Sequence, residues 1–212
     1  MRADGSLADL QGPAGNTYDK YGTRNPVARL LVSRFLTAVE ESVRELRPGS
    51  LLDVGCGEGV VTERLARAFP ATRAVGVDVA DPALLEEWEG RRAPNLGFAP
   101  GSAYSLPYGD GAFEVVSAFE VLEHLERPDE ALAELARVAS RALVLSVPRE
   151  PWWRATNVLS GRYVRALGNT PGHVNHWTRE AFRHFAGGAG DVSRIRSPYP
   201  WTVVSVEKAQ NA

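Results

Sequence analysis

Apolar and small residues recur at helical spacing through Val27, Leu31, Phe35, Ala38, Ser42 and Leu46, which predicts a helix over about 26–46. Asn25-Pro26 supplies an N-cap and a first-turn proline, and Pro48-Gly49 stops the helix. The pattern then changes to short apolar runs near 50–54, 73–78, 96–99, 113–118 and 142–147. Helical stretches near 59–69, 82–90 and 128–139 separate them. Strands alternating with helices predict a parallel sheet covered on both faces, a doubly wound α/β fold. Val192 to Ser197 and Trp201 to Glu207 are two further strand-like runs, joined through Pro198-Tyr199-Pro200. There is no internal repeat or low-complexity segment.

The first of these strands runs straight into a glycine-rich turn, Leu51-Leu52-Asp53-Val54-Gly55-Cys56-Gly57-Glu58-Gly59. Glycine tolerates positive φ and lets a backbone approach a ligand closely. Val61, Leu65 and Ala68 then continue at helical spacing, so the order is strand, turn, helix, as in nucleotide-type cofactor sites. A triphosphate-binding loop needs Lys and Ser or Thr directly after the last glycine, where this chain has Val60-Val61-Thr62. The dinucleotide fingerprint places its third glycine at the position of Val60. Asp53 also puts a carboxylate where a diphosphate needs positive potential, so the turn favours a cationic ligand. Asp78 ends the next strand 19 positions after Gly59, close to the spacing at which an acid accepts from ribose hydroxyls, and a helix N-terminal charge is the plainer alternative.

The turn resembles motif I of the class I S-adenosylmethionine-dependent methyltransferases. Gly101-Ser102-Ala103-Tyr104-Ser105-Leu106-Pro107-Tyr108 and Phe113 to Leu125, including Glu120-Val121-Leu122-Glu123-His124, resemble the adenine loop, fourth strand and following segment of that family's small-molecule branch, related to ubiquinone-biosynthesis methyltransferases. The likeness runs from about Tyr18 to Val147. It implies a Rossmann-like, seven-stranded, mostly parallel sheet with the last strand antiparallel, and S-adenosyl-L-methionine as cofactor with S-adenosyl-L-homocysteine as product. It also implies that Asp53, Gly55, Cys56 and Gly57 border the methionine end, that Val79 lies beside the ribose ligand Asp78, and that the Phe119 carbonyl lies near the ammonium group. Asp53 could instead simply order the turn. Ser102 and Ala103 would face the adenine, although Ser102 stands where the family often has Asp and accepts more weakly. Tyr18 and Tyr21 would form a lid over the cofactor or pack as surface aromatics.

Composition narrows the setting. A chain of 212 residues with 44% apolar content is long enough for one full core, and a single domain over 1–212 with a flexible stretch at 1–17 is expected. A net charge of −2 with interspersed signs gives no electrostatic footprint for nucleic acid. Met1 to Asn16 lacks the apolar run of a signal peptide, and no run reaches the roughly 18 apolar residues of a membrane span, so a cytoplasmic location is expected. The lone Cys56 cannot form an internal disulfide and reads as a small packed side chain rather than a nucleophile.

Arg149 to Trp177 is too long for an ordinary strand-to-helix connection and reads as a substrate-lid insertion. Trp152, Trp153 and Tyr163 offer flat surfaces, and Arg149, Arg154, Arg162 and Arg165 outnumber Glu150, which suits an aromatic or anionic small-molecule acceptor. Arg stems lying over Trp rings on a solvated face explain the same composition. His124, His173 and His176 are the candidate general bases. His173 and His176 lack a third ligand nearby in sequence, so no metal is expected; hydrogen bonds that order the loop are the alternative. Methyl transfer to a small molecule is the leading expectation, O-methylation ahead of N- or C-methylation. A nicotinamide-dependent oxidoreductase and a cofactor-binding module without chemistry are the other readings.

Overall fold

The computed structural model describes residues 25–159, 163 and 166–209. They form six α-helices, α1 (Pro26–Leu46), α2 (Val60–Ala68), α3 (Pro82–Arg91), α4 (Pro128–Val138), α5 (Trp152–Leu159) and α6 (Arg179–Ala186). The strands are β1 (Ser50–Val54), β2 (Arg73–Asp78), β3 (Leu96–Pro100), β4 (Phe113–Phe119), β5 (Ala139–Pro148), β6 (Asp191–Arg196) and β7 (Trp201–Glu207). They make one seven-stranded sheet of order β3-β2-β1-β4-β5-β7-β6. Strands β1 to β5 pair in parallel, and β7 inserts antiparallel between β5 and β6, as the resemblance implied.

Helices α1 and α6 start where side chains satisfy their orphan N–H groups. Asn25 Oδ1 accepts from the Val27 and Ala28 amides with Pro26 following, and Thr178 Oγ1 accepts from Ala181 N at the head of α6. Helix α1 buries Phe35, Leu36, Ala38, Val39, Ser42 and Val43, whereas Val27 and Leu30 stay exposed, so the expected apolar face is covered only from its third turn. In α2 the covered position is Ala66 rather than Ala68.

Strand alternation divides the core between the two faces of the sheet. Leu52, Val54, Val116, Leu143 and Leu145 pack with Leu132 and Leu135 of α4 and Phe182 of α6. Leu51, Val115, Ala142 and Val144 pack with α1 and with Val61 and Leu65 of α2. Strand β5 follows α4 without a loop, starting at Ala139 rather than near 142, because its first residue already pairs with Phe113. No helix among the described residues is long and apolar enough to cross a membrane. The carboxyl ends of β1, β2 and β4 lie side by side, which brings Asp53, Asp78 and Phe119 to one edge.

Candidate functional site

The glycine turn is held by the neighbouring strand and helix. Gly55 N and Cys56 N both donate to Val77 O, at 2.7 and 3.1 Å, and Gly57 N donates to Asp78 Oδ2 at 2.7 Å. From the other side Trp88 Nε1, on α3, donates to Gly57 O at 2.8 Å. Gly55 has φ +73°, and a Cβ there would sit 2.3 Å from Val121 Cγ2, so the turn packs directly on the segment after β4. Gly57 also has positive φ, but nothing lies within 4 Å of its Cβ position. The turn is therefore braced on its inner side and open at Gly57, where a ligand can meet bare backbone. Trp88 is fully buried and stacked on Phe98. Trp88→Phe keeps that stack and removes one hydrogen bond, so a loss of about 1 kcal/mol is expected, read as a fall in melting temperature of about 2–4 °C.

Two carboxylates flank this turn. Asp53 is 2% exposed and accepts from Thr62 Oγ1 on α2 at 2.6 Å and Ser117 Oγ on β4 at 2.9 Å. Burial pushes its pKa up to about 6 against those two hydrogen bonds, with the neighbouring Asp78 adding to the rise. Its geometry braces the turn by joining β1, α2 and β4. Asp78 is half-buried and accepts from Gly57 N and Val79 N, and burial raises its pKa in spite of these bonds. Cys56 Sγ is directed at Gly57 O, and burial beside Asp53 and Asp78 pushes its thiol far up, which leaves it inert as a nucleophile.

Val79, just past β2, is 47% exposed beside Asp78, an apolar surface next to the ribose candidate. Ser102 Oγ accepts from Tyr104 N at 3.2 Å and so shapes its own turn, while Ala103 packs on the core. Phe119 ends β4 in the core on the α1 side of the sheet. The next residue, Glu120, has φ +61° and accepts from Trp201 Nε1 at 2.6 Å. A non-glycine residue in the left-handed region is uncommon and redirects the chain here, out of β4 and over the glycine turn. Tyr18, Tyr21 and Arg162 lie outside the described residues.

The histidines separate into two groups. A 3₁₀ turn at Leu122–His124 is sewn to the loop before α6: Val174 N and Asn175 N donate to Glu123 O, and Asn175 Nδ2 donates to Leu122 O and Leu125 O. This brings the His173 ring to 4.7 Å from that of His124, edge to face. His176 instead meets Arg154 Nη2 at 3.1 Å and Glu150 Oε1 at 3.8 Å, and burial together with the Arg154 charge lowers its pKa. His173 thus meets His124 rather than His176, because the loop turns His176 towards α5.

The insertion carries a helix, α5, and its two ends are clipped together by Glu150 N donating to Trp177 O. Trp153 stacks on His173, tilts against Trp201 and donates to Thr170 Oγ1, so its ring is committed inside the chain. Arg154 Nε pairs with Glu150 at 3.6 Å. Trp152 is 51% exposed, and Tyr163 is partly exposed, so these two aromatics keep surface for a partner molecule. Thr62, Ser117, Trp88 and Glu123 carry much of the site although the sequence did not single them out. The cross-strand register reveals Ser117 and the stacking of α3 on β3 reveals Trp88, while the packing of α2 brings Thr62 and the loop before α6 brings in Glu123.

Residues 52–142, from β1 into β5, match the family model described as methyltransferase domain. That stretch is a methyltransferase domain. An uncharacterised methyltransferase of Schizosaccharomyces pombe is 38% identical over 97 residues, 42% of this chain and 35% of that protein. The ubiquinone biosynthesis O-methyltransferase of Caulobacter vibrioides is 32% identical over 90 residues, 42% of this chain and 36% of its own length. The chain thus spans about a third of these curated relatives. Among solved structures, magnesium protoporphyrin IX methyltransferase from Synechocystis, with bound SAH, superposes with a TM-score of 0.65 at 21% identity. That match covers 89% of this chain and 90% of the other, and it shows the methyltransferase fold.

Proposed function

We propose that the protein transfers a methyl group from S-adenosylmethionine to a hydroxyl of a small-molecule acceptor. The observation that carries the cofactor half is the turn itself. It is open at Gly57, has Asp53 beneath it and Asp78 beside it, and offers no cationic side chain of its own between Gly55 and Gly59. A sulfonium and an ammonium group are stabilised by that field, whereas a diphosphate is repelled. In this reading Asp78 receives the ribose hydroxyls, Val79 and Ala103 border the adenine with Ser102, and the methionine end lies along Gly55, Cys56 and Gly57 towards the Phe119 carbonyl. Asp53 acts through the turn that it braces.

Methyl transfer is an in-line displacement, so alignment and exclusion of water supply most of the rate. The acceptor end is assigned to the Glu123, His124 and His173 cluster, and the exposed Trp152 and partly exposed Tyr163 of the insertion offer aromatic surface; a hydroxyl loses its proton at such a cluster. The Caulobacter relative, named as an O-methyltransferase, supports an oxygen acceptor. With Arg154 paired to Glu150, an aromatic acceptor is favoured over an anionic one.

Calorimetric titration with S-adenosylmethionine, S-adenosylhomocysteine and NAD(H) tests the reading. Micromolar binding of the sulfur pair without NAD(H) is expected. Binding of NAD(H) alone replaces the assignment with a dinucleotide enzyme, and no binding of either reduces the protein to a module without this chemistry.

A further inference from the structure

Glu123, His124 and His173 each offer one donor atom, and these three atoms all lie within 4.8 Å of one another. Glu123 and His173 are buried and His124 is partly exposed. We propose that these residues bind a divalent transition-metal ion, with open coordination positions for oxygen ligands such as an acceptor hydroxyl. Three features beyond proximity support this.

First, His124 Nδ1 lies 3.0 Å from Gly172 O. A carbonyl only accepts, so Nδ1 carries the proton and donates, leaving the Nε2 lone pair for a ligand. Fixing the tautomer of one ring nitrogen through a backbone carbonyl is how metal-binding imidazoles are oriented. Gly172 sits at φ +86°, a backbone conformation that favours glycine, and this turn presents its carbonyl to the ring.

Second, the ligands come from two segments about 50 residues apart, yet their relative placement is fixed. Four hydrogen bonds from Val174 and Asn175 lock the loop onto the 3₁₀ turn, and Trp153 stacks on His173 from the far side. Such a frame limits the entropy lost on binding an ion. Donors about 2.1 Å from a common centre stand about 3–3.4 Å apart, so side-chain shifts on the order of 1 Å close the set.

Third, the donor set is chemically coherent. Two imidazoles and one carboxylate suit borderline divalent ions such as Zn²⁺, Co²⁺ or Mn²⁺, and three protein ligands leave positions open. The partly exposed His124 provides an entry path. The position also fits the chemistry, since Val121, two residues before Glu123, packs on Gly55 of the cofactor turn.

The use of the ion rests on the methyltransferase reading, but its binding does not. Near a cation the acceptor hydroxyl is more acidic. Its O–H bond breaks with the proton passing to water, and its oxygen forms the new bond to the methyl carbon. The C–S bond breaks with its electron pair going to sulfur, so the sulfonium becomes a neutral thioether.

Co²⁺ titration of tag-free protein, followed by visible absorption, tests the site. The wild type is expected to take up one equivalent and to show d–d bands that one equivalent of Zn²⁺ abolishes. His124→Ala, His173→Ala and Glu123→Gln are expected to weaken uptake at least 100-fold, while His184→Ala, on the exposed surface of α6, retains it. Catechol, as an oxygen-donor probe, is expected to shift the bands. Absence of saturable bands in the wild type, or unchanged bands in all three site variants, overturns the site. Bands that catechol leaves unmoved overturn its use for an oxygen acceptor. Calorimetry with S-adenosylmethionine on metal-free protein keeps the two readings apart: cofactor binding without Co²⁺ uptake sinks only the metal site, and Co²⁺ uptake without cofactor binding sinks only the methyltransferase reading.

Discussion

Asp78→Ala is expected to weaken S-adenosylmethionine binding about 100-fold, measured as the calorimetric Kd. The side chain performs two tasks with one carboxylate. It accepts from Gly57 N and Val79 N, and so sets the open face of the turn. In the proposed complex it also receives the ribose hydroxyls. Hydrogen bonds to charged groups contribute about 1.5–3 kcal/mol each, so losing the ribose contacts and slackening the turn account for about 2.7 kcal/mol. Asp78→Asn keeps one acceptor oxygen and is expected to lose only about tenfold. An unchanged Kd in Asp78→Ala would remove Asp78 from the cofactor site.

Asp53→Asn is expected to stabilise the free protein while impairing cofactor binding. Asp53 is buried with only hydroxyl partners, and its pKa is raised to about 6 from an ordinary value of 3.8. The sign follows from proton counting. Between about pH 4 and 6 the unfolded chain ionises this group while the folded protein keeps its proton, so stability is present below that window and is lost as pH rises through it. Above pH 6 the buried anion costs about 3 kcal/mol, at 1.36 kcal/mol per pKa unit.

Asparagine removes that cost, and the Thr62 and Ser117 hydroxyls can rotate to satisfy an amide. The melting temperature of Asp53→Asn should exceed that of the wild type by about 6–10 °C at pH 7.5 and converge with it near pH 4. S-adenosylmethionine affinity should fall about tenfold, because the negative field beneath the turn is lost. A variant that melts below the wild type at pH 7.5 would show that the carboxylate is compensated inside the fold.

The architecture was legible in the sequence because it is written in local terms. Asn25-Pro26 begins α1, and short apolar runs alternate with amphipathic stretches, a pattern that admits few packings. The glycine turn could be read for a similar reason: positive φ at Gly55, Gly57 and Gly59 is a property of the residues that adopt it. Rejection of a triphosphate loop and the choice of a cationic ligand likewise needed only residue identities from Asp53 to Thr62.

What the sequence left open depended on distance in space. The roles of Asp53 and Asp78 turn on partners that the register and helix packing bring: Ser117 across the sheet, Thr62 from α2, Gly57 from the turn. The grip of Trp88 on the turn is of the same kind. His173 and His176 stand three residues apart, but a loop without regular hydrogen bonding obeys no periodicity, so their spacing assigned them no partners. Hydrogen bonds from Asn175 and Val174 to the turn after β4 decided instead that His173 joins His124 and Glu123, while His176 faces Arg154. The chain by itself determined which elements form and what kind of cofactor they suit, since both follow from local propensity and charge. Only the tertiary structure decided which polar groups meet at the acceptor end, because contacts between remote segments are selected by packing across the whole sheet.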